Sequence, residues 1–125
     1  MKLEYLADGS ADCPLLRLFE FSRAEIRRLR DACQQLANRE SHAWALHVQP
    51  WVAPVGGCEF TWRLSSRDEP VRTLEDGRTF ELAQSAEAWL EMSDLLAPFM
   101  DSVAGYQWLV QGSGVNVLIS HDGKW

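Results

Sequence analysis

Residues 42–65, HAWALHVQPWVAPVGGCEFTWRLS, decide the fold that this sequence predicts. Apolar and polar side chains alternate along 42–52 and again along 58–65, which is typical of β-strands with one buried face. The short segment 54–57 between them contains a proline and two glycines, residues that favour turns. The stretch therefore predicts a β-hairpin that turns near residue 55.

A single register of this hairpin sorts its side chains onto two faces, because side chains on a strand alternate with period two. It places Val48 opposite Trp62 and His47 opposite Arg63. The apolar face comprises Leu46, Val48, Phe60, Trp62 and Leu64, and the polar face comprises His47, Gln49, Trp51, Glu59, Thr61 and Arg63. A large aromatic side chain among polar neighbours makes Trp51 a candidate contact residue.

Two helices flank this hairpin at some distance along the chain. The first is predicted over 22–38, where Ser22 and Glu25 fit a capping box at its start. Its apolar side chains follow helical spacing: Ile26, Leu29, Cys33 and Leu36. The second is predicted over 85–100, with Ser85 as its N-cap. Its apolar stripe consists of Trp89, Met92, Leu96, Phe99 and Met100.

The complete order of predicted elements is ββ-α-βββ(β)-α-ββ. We expect one α+β domain over residues 1–125, a two-layer sandwich with two helices on one face of a mostly antiparallel sheet. The other face of the sheet is then open to water or to a partner. Two β-α-β-β units, roughly 15–65 and 78–120, are also recognisable, and each ends in a hairpin that contains tryptophan.

Composition narrows the class of protein. The chain has 125 residues, a formal net charge of −6 and three cysteines without the spacing of a metal or redox motif. It contains no secretory leader pattern and no apolar run of the roughly 20 residues that cross a bilayer. These features predict a reduced cytoplasmic protein that does not bind membranes, and the negative charge disfavours nucleic acid.

Metal, cofactor and catalytic motifs are weak. The three histidines, His42, His47 and His121, are scattered and lack neighbouring ligands, so we expect no metal and no cofactor. One arrangement could serve acid–base chemistry: His47, Glu59 and Arg63 share the polar hairpin face. An enzyme or small-ligand binder with a pocket around these three residues is therefore an alternative hypothesis.

The first helix also carries arginines at helical spacing. Arg23, Arg27 and Arg30 recur along one side, and Arg28 stands beside them. Such a stripe could hold phosphates, which makes a nucleic-acid accessory protein a further alternative. A solvated helix face explains the same pattern and fits the net charge better.

The final hairpin adds two leucines to the candidate contact surface. Leu109 and Leu118 fall on a face otherwise made of amide and hydroxyl side chains, a mixture typical of interfaces. The leading hypothesis is a non-catalytic binding protein whose open sheet face, with Trp51 and Arg63, forms a homodimer or binds a protein partner. The competing explanation is that a loop or the C-terminal residues cover this face within the monomer.

Overall fold

The computed structural model describes residues 1–112 and 114–125 of the chain; Ser113, in the predicted turn of the final hairpin, lies outside the described residues. The strands are Lys2–Leu6 (β1), Leu15–Phe19 (β2), Ala43–Ala45 (β3), Ala53–Pro54 (β4), Glu59–Leu64 (β5), Arg72–Thr73 (β6), Thr79–Gln84 (β7), Tyr106–Val110 (β8) and Asn116–Ser120 (β9). The helices are Arg23–Ala37 (α1), Ala86–Leu96 (α2) and the short Pro98–Asp101 (α3). The predicted α+β class and order of elements are confirmed.

The strands of the described residues form two sheets, where a single sheet was expected. The first has the order β4-β1-β2-β9-β8, and the second has the order β3-β5-β7-β6. Four neighbouring pairs are antiparallel: β1–β2, β3–β5, β6–β7 and β8–β9. Three are parallel: β1–β4, β2–β9 and β5–β7. The pairing is therefore mixed, since parallel pairs join strands that are distant along the chain.

The two sheets are built from two units of the same topology. Each unit has a leading hairpin, a helix and a trailing hairpin: β1, β2, α1, β3 and β5 in the first, and β6, β7, α2, β8 and β9 in the second. The leading hairpin of each unit joins the trailing hairpin of the other through one parallel pair, β2–β9 or β5–β7. The units thus exchange hairpins, and neither sheet belongs to one unit alone.

The helices begin where the sequence predicts, at side-chain N-caps. Ser22 accepts a hydrogen bond from the Glu25 backbone N–H at 3.2 Å, and Glu25 Oε1 accepts from the Ser22 N–H at 2.9 Å, which completes the capping box. Burial by itself would raise the pKa of Glu25, but hydrogen bonds from the Met1 ammonium and from Ser22 lower it overall. Ser85 caps α2 by accepting from the Ala88 N–H at 3.3 Å.

The apolar stripes of both helices lie in one buried cluster, together with apolar side chains from strands of both sheets. Trp62 and Trp89 lie in it with ring centroids 5.0 Å apart, and both side chains are fully buried. Burial of large aromatic side chains of this kind contributes much of the stability of a small domain. The core therefore joins the exchanged hairpins to the helix layer.

The predicted register of the central hairpin is wrong. Trp44, not Val48, lies opposite Trp62, and Ala43, not His47, lies opposite Arg63. The reason is that β3 ends at Ala45 and the chain then turns through a short 3₁₀ helix. The displacement is an even number of residues, so Trp62 still faces the core. Val48, expected to be buried, is 64% exposed.

Candidate docking surface on the helix layer

His47, the central residue of the hypothetical catalytic group, lies in the 3₁₀ helix that interrupts the predicted strand. Its ring Nδ1 accepts a hydrogen bond from the Phe60 backbone N–H at 3.0 Å. The imidazole nitrogen thus accepts the hydrogen bond that a backbone carbonyl would accept if the strand continued beyond Ala45. This contact explains why the chain leaves the ladder after Ala45 without leaving the Phe60 N–H unpaired.

Glu59 and Arg63 lie on β5 with exposed side chains. Arg63 Nη2 is 3.3 Å from Glu81 Oε1 on the neighbouring strand β7, and Thr79 Oγ1 donates to Glu59 Oε2 at 3.4 Å. The clefts described for residues 1–112 and 114–125 are lined by neither these two residues nor His47. None of these clefts therefore supports catalysis by the three residues, which stays an untested prediction.

The cysteines offer no alternative nucleophile within the core. Cys33 and Cys58 are both buried, and burial raises the pKa of each thiol. A buried thiol with a raised pKa is mostly protonated at neutral pH and reacts slowly. Within the part of the chain that the structure describes, no three His, Cys, Asp or Glu side chains come together as a metal site.

Trp51 occupies a turn rather than the polar face of a strand. Its side chain is partly buried and packs against the core cluster. Its backbone carbonyl accepts a hydrogen bond from the Met1 ammonium at 3.1 Å. Much of the tryptophan surface that suggested a contact residue is thus used within the protein, so the expected exposure on an open strand face is wrong.

The outer face of the first sheet, expected to be open, is covered by the C-terminal residues. Arg17 Nη1 donates to the Gly123 carbonyl at 2.7 Å, and Trp125 Nε1 donates to Asp12 Oδ2 at 2.9 Å. The Trp125 ring meets Trp108 of β8 edge-on, with centroids 6.4 Å apart. The C-terminal segment thereby crosses this face of the sheet and shields it from solvent.

Leu118 and Leu109 are both buried, for different reasons, and this corrects the surface assigned to them. Leu118 stands beside Arg17 and Trp108 in the sheet and is fully buried. Leu109 lies at a β-bulge between Trp108 and Val110 and belongs to the main core. A bulge changes the face to which a side chain points, and alternation alone does not reveal it. Binding by either residue remains a prediction without an exposed side chain to support it.

A cleft of about 360 Å³ borders the C-terminal segment. Its lining includes Tyr106, His121, Asp122, Lys124 and Trp125. A hydrogen bond from the Lys124 backbone N–H lowers the pKa of Asp122, which therefore stays ionised at neutral pH. The cleft is shallow and its charged groups are exposed, whereas small-molecule sites usually enclose most of their ligand.

The helix layer presents a different kind of surface. Helices α1 and α2 lie side by side and antiparallel: Arg23 Nη2 donates to the Asp101 carbonyl at 2.8 Å, and Arg30 Nε donates to the Ser93 carbonyl at 3.1 Å. These contacts turn Arg23 toward α3 and Arg30 toward α2. The stripe proposed for phosphates is thus divided, and Arg27 and Arg28 remain on the solvent side.

Four exposed positions of α1 correspond to four exposed positions of α2. The N-caps, Ser22 and Ser85, are 63 residues apart (85 minus 22), and the same offset relates these exposed positions. On α1 these are Ala24, Arg27, Arg28 and Asp31; on α2 they are Glu87, Leu90, Glu91 and Asp94. We call these eight residues the outer helix face. Its α1 half carries two arginines and one carboxylate, and its α2 half carries three carboxylates.

Leu90 stands at the centre of the acidic half with 52% of its surface exposed. None of the ion pairs among the described residues includes Glu87, Glu91 or Asp94. An apolar side chain surrounded by unpaired carboxylates is the arrangement that a partner with basic groups around an apolar surface complements. Sequence reasoning overlooked this face, although the spacing 87, 90, 91 and 94 is a helical signal that could have found it.

No helix in the described part of the chain has both the length and the apolar character needed to span a membrane. Comparisons of the chain with protein-family models, with curated proteins and with solved structures found no match.

Proposed function

We propose that this protein is a non-catalytic binding protein that docks another protein through the outer helix face. The observation that carries the proposal is Leu90, exposed at the centre of three carboxylates that have no partner among the described residues. The C-terminal residues cover the outer face of the first sheet, which buries Leu118, whereas Arg63 on the second sheet stays exposed. The outer helix face is therefore the better candidate surface.

Physical chemistry supports this choice of surface. A single exposed leucine is ordinary on a protein surface. About half of the Leu90 side chain is already buried, so burying the rest against a partner contributes about 1 kcal/mol. The surrounding carboxylates guide a basic partner into register. Both halves of the outer helix face lie on regular helices anchored by N-caps, so their side chains are presented on a rigid scaffold. Binding then requires little ordering of the backbone.

The test is photo-crosslinking in the cells that make the protein. A photoreactive amino acid replaces Leu90, and a matched control carries it in place of Val48, an apolar side chain that is 64% exposed on the 3₁₀ helix. We expect a covalent adduct with a protein from position 90 but not from position 48. The adduct should disappear when Glu87, Glu91 and Asp94 are all replaced by lysine.

Two results would contradict the proposal. One is the absence of any protein adduct from position 90 in folded protein, and the other is equal labelling from positions 48 and 90. Folding of each variant is checked by its helical circular-dichroism signal and its melting temperature. The mass of the adduct then identifies the class of partner without assuming it.

A further inference from the structure

We propose that the segment docked on the outer helix face is a basic amphipathic helix of the partner protein, held at the end of the face where Asp31 joins the carboxylates of α2. This inference rests on the proposed function, since it names the structural class of the docked segment and the part of the face that holds it. It follows from the way in which the antiparallel packing of α1 and α2 distributes charge along the helix layer.

Hydrogen bonds between the two helices fix which of their residues lie at the same height along the layer. Arg30 Nε donates to the Ser93 carbonyl, and Gln34 Nε2 donates to Ser93 Oγ at 3.2 Å. Because both side chains contact position 93 and the helices run in opposite directions, Asp31 lies level with Asp94. Asp31 therefore belongs to the same end of the layer as the carboxylates of α2.

The helix layer consequently has an acidic end and a basic end. The acidic end surrounds Leu90 with four exposed carboxylates, none of which is in an ion pair among the described residues: Asp31, Glu87, Glu91 and Asp94. At the other end, Arg23 donates to the Asp101 carbonyl of α3. Arg27 and Arg28, one turn further along α1, lie near the junction of α2 and α3. A basic segment is therefore attracted to one end of the layer and repelled from the other.

The spacing of the α2 carboxylates favours a helix over an extended segment. Glu87, Glu91 and Asp94 are four and then three residues apart, so they rise by about 6 Å and then about 4.5 Å along the axis. Basic side chains at positions i, i+4 and i+7 of an aligned helix rise by the same steps. Side chains on one face of an extended strand recur about every 6.7 Å, and the mismatch reaches about 3 Å after two steps.

Leu90 makes an amphipathic helix a better occupant than a uniformly basic one. Its side chain is 52% exposed and lies within one helical turn of Glu87 and Asp94. An apolar residue among the basic side chains of the docked helix covers it, which is the helix-in-groove mode of recognition. The carboxylates are exposed, so their attraction is screened by salt within about 10 Å at 0.1 M, and the affinity should fall as salt is raised.

Fluorescence anisotropy with three labelled peptides tests the class of the docked segment. All three contain the same number of leucine and lysine residues, about 18 in total, enough for several helical turns. In the first peptide the leucines follow helical spacing, in the second they alternate with lysine as on a strand, and in the third the helical order is interrupted by two added prolines. The first peptide should bind at least about tenfold more tightly than the other two.

Two charge-reversal variants test the location. The first replaces the three α2 carboxylates of the outer helix face by lysine and should weaken binding of the helical peptide by at least about tenfold. A matched control, Asp8→Lys with Glu59→Lys and Glu75→Lys, changes the net charge by the same amount at exposed positions outside the helices and should bind the peptide much more tightly than the first variant. Asp31→Lys alone should weaken binding severalfold, because Asp31 lies level with the α2 carboxylates. Circular dichroism and thermal melting verify that every variant is folded.

The inference is overturned if the helical peptide fails to bind, if the three peptides bind alike, or if the control variant loses as much affinity as the first variant. These results are separate from the crosslinking test of the proposed function. A protein adduct from position 90, together with no preference for the helical peptide, refutes a helical partner and supports docking. The absence of both the adduct and the preference refutes both proposals.

Discussion

The inner faces of α1 and α2 are both apolar, whereas their outer faces differ in charge. On the inner faces, Ile26, Leu29, Cys33 and Leu36 of α1 correspond at the same offset of 63 to Trp89, Met92, Leu96 and Phe99 at α2 and the start of α3, and all eight are buried. On the outer faces, three of the four corresponding positions differ in charge, and only Asp31 and Asp94 agree. Burial restricts the inner positions to apolar residues, whereas folding places little demand on the outer ones. Differences on the outer face therefore cost little stability, which leaves these positions free to serve the proposed docking.

The largest expected effect in this comparison comes from two adjacent residues of α2, one on each face. Trp89→Ala removes a fully buried indole and should lower the free energy of unfolding by about 3–5 kcal/mol. Leu90→Ala, one position along but on the outer face, should change it by less than about 0.5 kcal/mol in the monomer. Urea denaturation at low protein concentration measures both. Comparable losses at the two positions would contradict the division into inner and outer faces.

The two neighbouring tryptophans of the core, Trp62 and Trp89, should differ by a smaller amount in the stability that each loses on replacement by phenylalanine. Trp89 Nε1 donates to the Arg63 carbonyl at 3.1 Å, whereas Trp62 Nε1 is buried and has no acceptor among the described residues. Trp89→Phe should therefore cost more than Trp62→Phe by about 1–3 kcal/mol, since only the first change breaks a buried hydrogen bond. Denaturation midpoints of the two variants check the order. A larger loss for Trp62→Phe would show that its indole N–H has a partner, such as water.

The smallest expected effects concern the helix starts. Ser22→Ala and Ser85→Ala should each cost about 1 kcal/mol, because each removes the acceptor of an N-terminal N–H group. The two caps differ in one respect: the Ser22 N–H is satisfied by Glu25, and the Ser85 N–H is satisfied by Asp68 Oδ1 at 2.8 Å. Ala88→Glu, which supplies α2 with the glutamate of a capping box, should therefore add little stability. A gain as large as the loss from Ser85→Ala would show that the Asp68 contact is weak.

Local signals explain why the helices could be predicted from the sequence. The capping box at Ser22 and Glu25 and the apolar stripes of α1 and α2 all depend on residues within four positions of one another. The boundaries agree to a few residues, and Pro98, which has no backbone N–H to donate, stands at the junction between α2 and α3. The capping role of Asp68 could not be predicted, because it reaches Ser85 from a loop before the intervening strand β7.

Long-range contacts explain what the sequence could not predict. Alternation in 42–52 is real, but the His47 ring replaces a strand partner of Phe60, and no periodicity signals such a substitution. The parallel pair β2–β9 joins segments from opposite ends of the chain. The covering of the first sheet depends on Gly123–Trp125, a segment without any regular pattern. Each of these three long-range contacts determines whether a predicted contact residue is exposed.

The exchange of hairpins between the units has a consequence for the order of events on the ribosome. Strand β2 is made before α1, yet its parallel neighbour β9 is made only after α2 and β8. Strands β5 and β7 lie closer together along the chain, so the second sheet can begin to assemble first. Contacts between such distant segments give a high contact order and slow the search for the native state. The nascent chain should thus hold β2 with an unpaired edge until β9 has emerged, a period during which a chaperone would be most useful.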